Sequence, residues 1–199
     1  MLGILNIIKT PIKNLYNLFS NDLELLGYTG SFAHSLCISI SMGLFIYTDN
    51  YDYFPLIQKI SNSYLILDII LLYSSDKFSK IRNIYIIHHL LFLLSWNLYS
   101  YGPQIYSKLL LSEVSVIPLN LKYFSKKFNY GYEILLSFTT YILFFIFRVL
   151  NFMYHTKILY DDGWYFLCPI FLPIASLQYY WFYLMTLKAY NFYTTNKKD

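Results

Sequence analysis

Charge is scarce in this 199-residue chain. Asp, Glu, Lys and Arg make up 13% of it, about half the usual share of a soluble domain. A surface so poor in charge cannot coat a water-exposed globule. Intrinsic disorder is excluded by the same balance, because disorder needs low hydrophobicity and high net charge. Glycine and proline are few, seven and six residues, which excludes collagen-like and low-complexity classes. Two cysteines exclude a disulfide scaffold, and they do not sit at zinc-site spacing. There is no His-Glu-x-x-His, no Cys-x-x-Cys and no glycine-rich phosphate loop, so no metal or other cofactor is expected. What is abundant is apolar: 57% of the chain is hydrophobic and 22% of the chain is aromatic, with a mean hydropathy of +0.42. The class left standing is an integral membrane protein with one compact domain.

A spanning helix needs about 20 mostly apolar residues. Ser31–Tyr47, Ile84–Tyr101, Ile134–Tyr154 and Trp164–Leu187 meet that demand. Tyr64–Tyr73 is shorter and carries Asp68, and Ile105–Leu121 carries Lys108, Glu113 and Asn120. Basic residues decide between four spans and six, because Lys and Arg concentrate in short cytoplasmic loops. With six spans, Lys9, Lys13, Lys77, Lys80, Arg82, Lys122, Lys126, Lys127, Lys188, Lys197 and Lys198 share one side. Lys59, Lys108 and Lys157 fall on the other, and Arg148 lies inside a span. Four spans give a weaker bias. The expected fold is therefore all-α: a polytopic transmembrane bundle of six spans with both termini cytoplasmic. Residues 1–29 read as an interfacial segment with Lys9 and Lys13 near lipid headgroups, rather than as a signal peptide. Residues 30–190 read as the transmembrane domain and 191–199 as a cytoplasmic tail. The longest polar linkers surround Thr48–Asn62 and Ser74–Asn83. The net charge of +4 follows from this topology. The basic residues are divided among short loops, so no nucleic-acid partner is expected.

Ionisable groups inside spans are costly and turn toward the bundle interior or a wet cavity. The set here is Asp68 in the second segment, His88 and His89 in the third, Glu113 in the fourth and Arg148 in the fifth, with His34 and His155 nearer span ends. Ser112, Ser115, Asn120, Asn151, Gln178 and Trp181 are their polar neighbours. Asp68, Glu113 and Arg148 fall near mid-depth, which predicts that Arg148 pairs with Asp68 or Glu113, since an unpaired buried charge is disfavoured. Glu113, Ile117 and Asn120 share a helical face, as do Arg148, Asn151 and His155, and as do His88 and Phe92. Adjacent histidines point about 100° apart on a helix, so one of the pair is expected to be central and the other supporting. Both cysteines read as small apolar residues.

The order of these motifs resembles the TLC domain, shared by the translocating-chain-associating membrane protein, the ceramide synthases and an endoplasmic-reticulum ceroid-lipofuscinosis protein. The resemblance runs from about Ser31 to Tyr190. It rests on Ser31-Phe-Ala-His34-Ser, Tyr64-Leu-Ile-Leu-Asp68, Ile87-His88-His89-Leu90, Glu113-Val-Ser115-Val-Ile-Pro118-Leu-Asn120-Leu and Phe147-Arg148-Val149. The Glu-x-Ser-x-x-Pro-x-Asn stretch is most similar to the small TLC domain-containing proteins. The resemblance implies residence in the endoplasmic reticulum or another endomembrane, and membrane lipids as partners. Two members of the family suggest different roles. A non-catalytic protein would act in lipid homeostasis, holding an acyl chain in the bundle with His34, Asp68, Ser112, Ser115, Asn120, Arg148, Asn151 and Trp181 as its polar lining. A ceramide synthase-like N-acyltransferase would use His88 and His89, with Glu113 orienting an imidazole and acyl-CoA as substrate. The synthases follow their histidine pair with a His-Asp stretch, where this chain has Ser112-Glu113-Val114-Ser115, and that departure favours the non-catalytic reading. A third reading is a cargo receptor or chaperone for other membrane proteins.

Overall fold

The structure, a computed structural model, describes residues 22–74, 82–98, 103–163, 165 and 168–196. The expected interfacial segment up to residue 21, the loop at 75–81 and the end of the tail at 197–199 lie outside them. The first helix, α1 (Leu23–Thr48), starts where the Asp22 carboxylate accepts the Leu25 N–H at 2.9 Å, a cap that satisfies one of the orphan donors of the first turn. It stops at Asp49, whose φ of 49° takes the left-handed conformation that ends helices. After a short turn α2 (Phe54–Ser74) begins with Pro55 in its first turn, the position where a missing N–H costs nothing. The polar linker expected around Thr48–Asn62 is thus mostly helix. Pro55 stands in its first turn, and Ser61 faces His34 of α1 instead of a loop. The third rod is α3 (Arg82–Leu98).

The fourth and fifth rods are irregular where they meet. The fourth runs as α4 (Pro103–Leu110), a 3-10 turn at Leu111–Ser115 and α5 (Val116–Phe128). Pro118 explains the break. It cannot donate to the Val114 carbonyl and its ring crowds that carbonyl, so the preceding turn tightens. Asn129 closes α5 with φ 57°. The fifth rod runs as α6 (Glu133–Phe144), a π turn at Phe145–Leu150 and α7 (Asn151–Asp161). The sixth is α8 (Cys168–Asn196), so residues 191–196 of the expected tail continue the helix. The first and second, second and third, fourth and fifth, and fifth and sixth rods pack side by side, α1 also lies along the fourth rod, and α8 contacts α3, α6 and α7.

Among the described residues every regular element is helical. Three rods are long and apolar enough to cross a bilayer: Glu24–Thr48, Phe54–Tyr73 and Glu133–Asp161, with mean hydropathies of 1.4, 1.3 and 1.8. The second of these was the least convincing as a sequence, and gains its length from the Phe54–Ser63 turns. Two segments that look sufficient by eye are not in that set. The described part of the third is 17 residues long, and the sixth is diluted by Gln178, Asn191 and a run of tyrosines. The bundle wears its apolar side chains outward: Ile40, Ile70, Ile134, Phe138 and Met153 are all more than half exposed. That is the inverse of a soluble protein and the arrangement a bilayer requires. One end of the interior is apolar as well, where Ile38, Met42 and Phe45 of α1 meet Leu109 of α4, Phe152 and Leu159 of α7 and Ile174 of α8.

Candidate functional site

The other end of the interior is polar. Its centre is Arg148, carried inward by the π turn and almost fully buried. The guanidinium faces the 3-10 turn of the fourth rod. Its Nε donates to the Ser115 Oγ at 2.9 Å and to the Ser112 carbonyl at 3.3 Å. Nη1 donates to Gln178 Oε1 at 2.9 Å, and Nη2 lies 3.5 Å from Glu113 Oε1. The Phe144 ring lies 5.2 Å from the guanidinium carbon. Two helix irregularities therefore build the contact together. The 3-10 turn turns a backbone carbonyl toward the bundle axis, and the π turn aims the arginine at it. π turns of this kind concentrate at functional positions.

Glu113 continues the network on its other side, with Oε2 3.8 Å from His34 Nδ1. His34 Nε2 is 2.9 Å from the Ser61 Oγ, and its ring stacks on Tyr64 at 4.0 Å. The Tyr64 hydroxyl reaches Ser31 and Asp68. Asp68 Oδ2 is 3.0 Å from His89 Nε2. His88 turns away from that pair: its ring meets Phe92 at 4.7 Å and the edge of Trp181 at 4.9 Å, and Trp181 stacks on Tyr85 at 5.6 Å. Asn120 donates to the Ser31 Oγ at 3.1 Å. Asn151 stands apart, donating to the Lys108 carbonyl at 2.8 Å near the other end, with His155 buried close by.

The structure decides between several of these expectations and changes others. Of the two acids offered to Arg148, Glu113 takes it, because the fourth rod and not α2 lies against the π turn. Asp68 pairs instead with His89 across the α2–α3 contact. Glu113 does not orient the histidine pair, since the imidazole it faces is His34 of α1. His88 and His89 diverge, as a step of about 100° per residue demands. Gln178 is more central than a polar neighbour, being fully buried and bonded to the guanidinium. Ser61 takes part although it does not stand out in the sequence, and Tyr64 joins it from the Tyr64–Asp68 stretch; their spacing to Asp68 at i−7 and i−4 was the available signal. Among the described residues no group of three or more His, Cys, Asp and Glu is arranged to hold a metal ion.

Near the start of α1 and the end of α5 the electrostatics are ordinary. Lys127 pairs with Asp22, and that hydrogen bond holds its ammonium above the usual lysine range. Lys122 is held below it, first by partial burial and then by Lys188 and Lys126. Around α7 and α8 an open groove of about 360 Å³ is lined by Met153, Thr156, Lys157, Tyr160, Leu172 and Tyr179, none of them a member of the network around Arg148.

Compared with family models, with curated proteins and with solved structures, the chain finds no match.

Proposed function

We propose that this is a six-span membrane protein of the TLC type, with cytoplasmic termini, that holds lipid within the bilayer and acts in lipid homeostasis in an endomembrane such as the endoplasmic reticulum. The observation that carries the reading is the contact chain from Gln178 through Arg148, Glu113, His34, Tyr64 and Asp68 to His89. Side chains from all six rods enter it. A polar interior of this size inside an apolar exterior costs too much to be incidental. In this reading the three shorter or less apolar rods cross the bilayer because their neighbours cover their polar faces. The order of motifs along the chain supports the family. Purification in detergent followed by mass spectrometry of the retained lipid tests the function. One lipid class enriched over the host membrane, and lost in Asp68→Asn, is the expected result; host-like lipid proportions in both proteins would overturn it. A C-terminal tag reached only from the lumenal side would overturn the topology.

The Asp68–His89 pair favours a second reading, an acyl-CoA-dependent N-acyltransferase. With Asp68 ionised, the His89 Nε2–H donates to it and leaves Nδ1 as the base. That nitrogen is buried and has no hydrogen-bond partner. It would take the proton of a lipid amine as the amine attacks the acyl carbon. The new C–N bond replaces the C–S bond, and the proton passes to the departing thiolate. Incubation with labelled acyl-CoA and a long-chain base tests this: N-acylated product that disappears in His89→Ala supports it, and no product from the wild-type protein removes it.

A further inference from the structure

The hydrogen bonds around Arg148 do not balance. Gln178, Ser112 and His88 are all more than nine-tenths buried. Yet Gln178 Nε2, Ser112 Oγ and His88 Nδ1 have no hydrogen-bond partner. A buried amide or hydroxyl left unpaired costs about 1–3 kcal/mol, so each such group calls for an explanation. The surplus has a sign. Four acceptors at the centre are engaged: Glu113 Oε1, the Ser112 carbonyl, Ser115 Oγ and Gln178 Oε1 each receive an Arg148 N–H. Two of the groups left over, on Gln178 and Ser112, can donate. The Gln178 amide nitrogen is a donor only, the Ser112 hydroxyl has a free O–H, and a guanidinium carries five N–H groups, of which Arg148 uses three. What is missing is an oxygen that accepts.

Charge narrows the choice. Arg148 already faces Glu113, so the pair is neutral, and a carboxylate or phosphate would add an uncompensated buried charge. A neutral carbonyl oxygen satisfies the donors without that penalty. The route to the cluster is also indicated. Trp181 packs edge-on against His88 and stacks on Tyr85. Both rings are partly exposed while His88 and Gln178 are not, so they form the wall between the cluster and the outer surface. On the same two helices Ile87, Leu90, Tyr180 and Leu184 are exposed. A guest entering between α3 and α8 comes from the bilayer.

We propose that Arg148, Gln178 and Ser112 form a receiving site for the carbonyl oxygen of a neutral lipid ester or amide, admitted past Tyr85 and Trp181. This rests on the lipid-holding reading above and names the part of the lipid that is held. The test uses ethyl oleate labelled with carbon-13 at the carbonyl, added to the purified full-length protein in detergent and followed by isotope-edited infrared spectroscopy. A hydrogen-bonded carbonyl gives a second, lower-frequency band that saturates with ester. Ser112→Ala keeps the main-chain carbonyl that holds Arg148 and removes one free donor. It is expected to weaken ester binding about fivefold, the loss of one neutral hydrogen bond. Gln178→Leu is expected to abolish the band, and if that variant does not fold, Ser112→Ala decides. Retained lipid with only an unshifted carbonyl band would overturn the site while leaving the lipid-holding reading intact. A low-frequency band of equal intensity and affinity in the wild-type protein and both variants would overturn it too, as would preferential binding of labelled oleate, a carboxylate. Absence of any retained lipid would bring down both.

Discussion

The two ends of the bundle interior are held by different physics. At one end Ile38, Met42, Phe152, Leu159 and Ile174 fill space with no polar atom among their side chains. At the other, Arg148, Glu113, His34, Asp68 and His89 are placed by named partners. In water both would hold the fold together. In a bilayer they are unequal, because lipid tails are as apolar as leucine and apolar burial gives helices little reason to prefer one another over lipid. The apolar end contributes close packing that tolerates substitutions of similar volume. The polar end decides which helix lies against which, because its groups have nowhere else to go.

Substitutions can break that contrast. Arg148→Ala is expected to have the largest effect, about 3–5 kcal/mol, by leaving Glu113 buried without its cation. It should appear as lost expression and a lower midpoint of thermal unfolding in detergent. Arg148→Met combined with Glu113→Gln should recover much of the loss; equal stability of Arg148→Ala and the wild type would remove Arg148 from the structural core. Leu159→Ala, at the apolar end, should cost about 3 kcal/mol by opening a cavity, while Leu159→Met should be nearly silent in the same melt. No conservative swap of that kind is expected to spare Arg148, because a lysine cannot reproduce the planar fork.

Smaller effects sharpen the comparison. Asp68→Asn keeps the shape of its pair with His89 but removes the charge, and should cost about 1–2 kcal/mol. Measured together with Glu113→Gln it tests whether the polar end is one network or two pairs. His34 feels both acids, so the double variant should depart from additivity by more than about 0.5 kcal/mol; strict additivity would divide the network at His34. Asn120→Ala should be the mildest. It removes a single bond to Ser31, worth about 0.6 kcal/mol by the average for side-chain hydrogen bonds between membrane helices. A loss as large as that of Arg148→Ala would give Asn120 a role that the bond to Ser31 does not explain.

The sequence made some of this legible and left the rest dark. A charge in an apolar run has to find company, and His34, Asp68, His89, Glu113 and Arg148 each face an ionisable partner, whereas His88 meets only aromatic rings. The length of α2 was not. Phe54–Ser63 reads as polar linker in one dimension, and only Pro55 and the neighbours of Ser61 reveal the helix. The 3-10 turn follows from Pro118, but the π turn at Phe145–Leu150 has no local marker in a run of aromatic and aliphatic residues.

Composition and hydropathy determined that the chain is helical, carries runs apolar enough to cross a membrane and turns the few charged groups within those runs inward, because these properties depend on counts and short periods along the chain. Which acid meets which base depends on the rotation of six rods about their own axes and on which rods are neighbours. Asp68 and Glu113 are both acids near mid-depth, and nothing in either residue says that one will meet His89 and the other Arg148 and His34. That assignment came from packing, in which the fourth rod rather than α2 lies against the fifth.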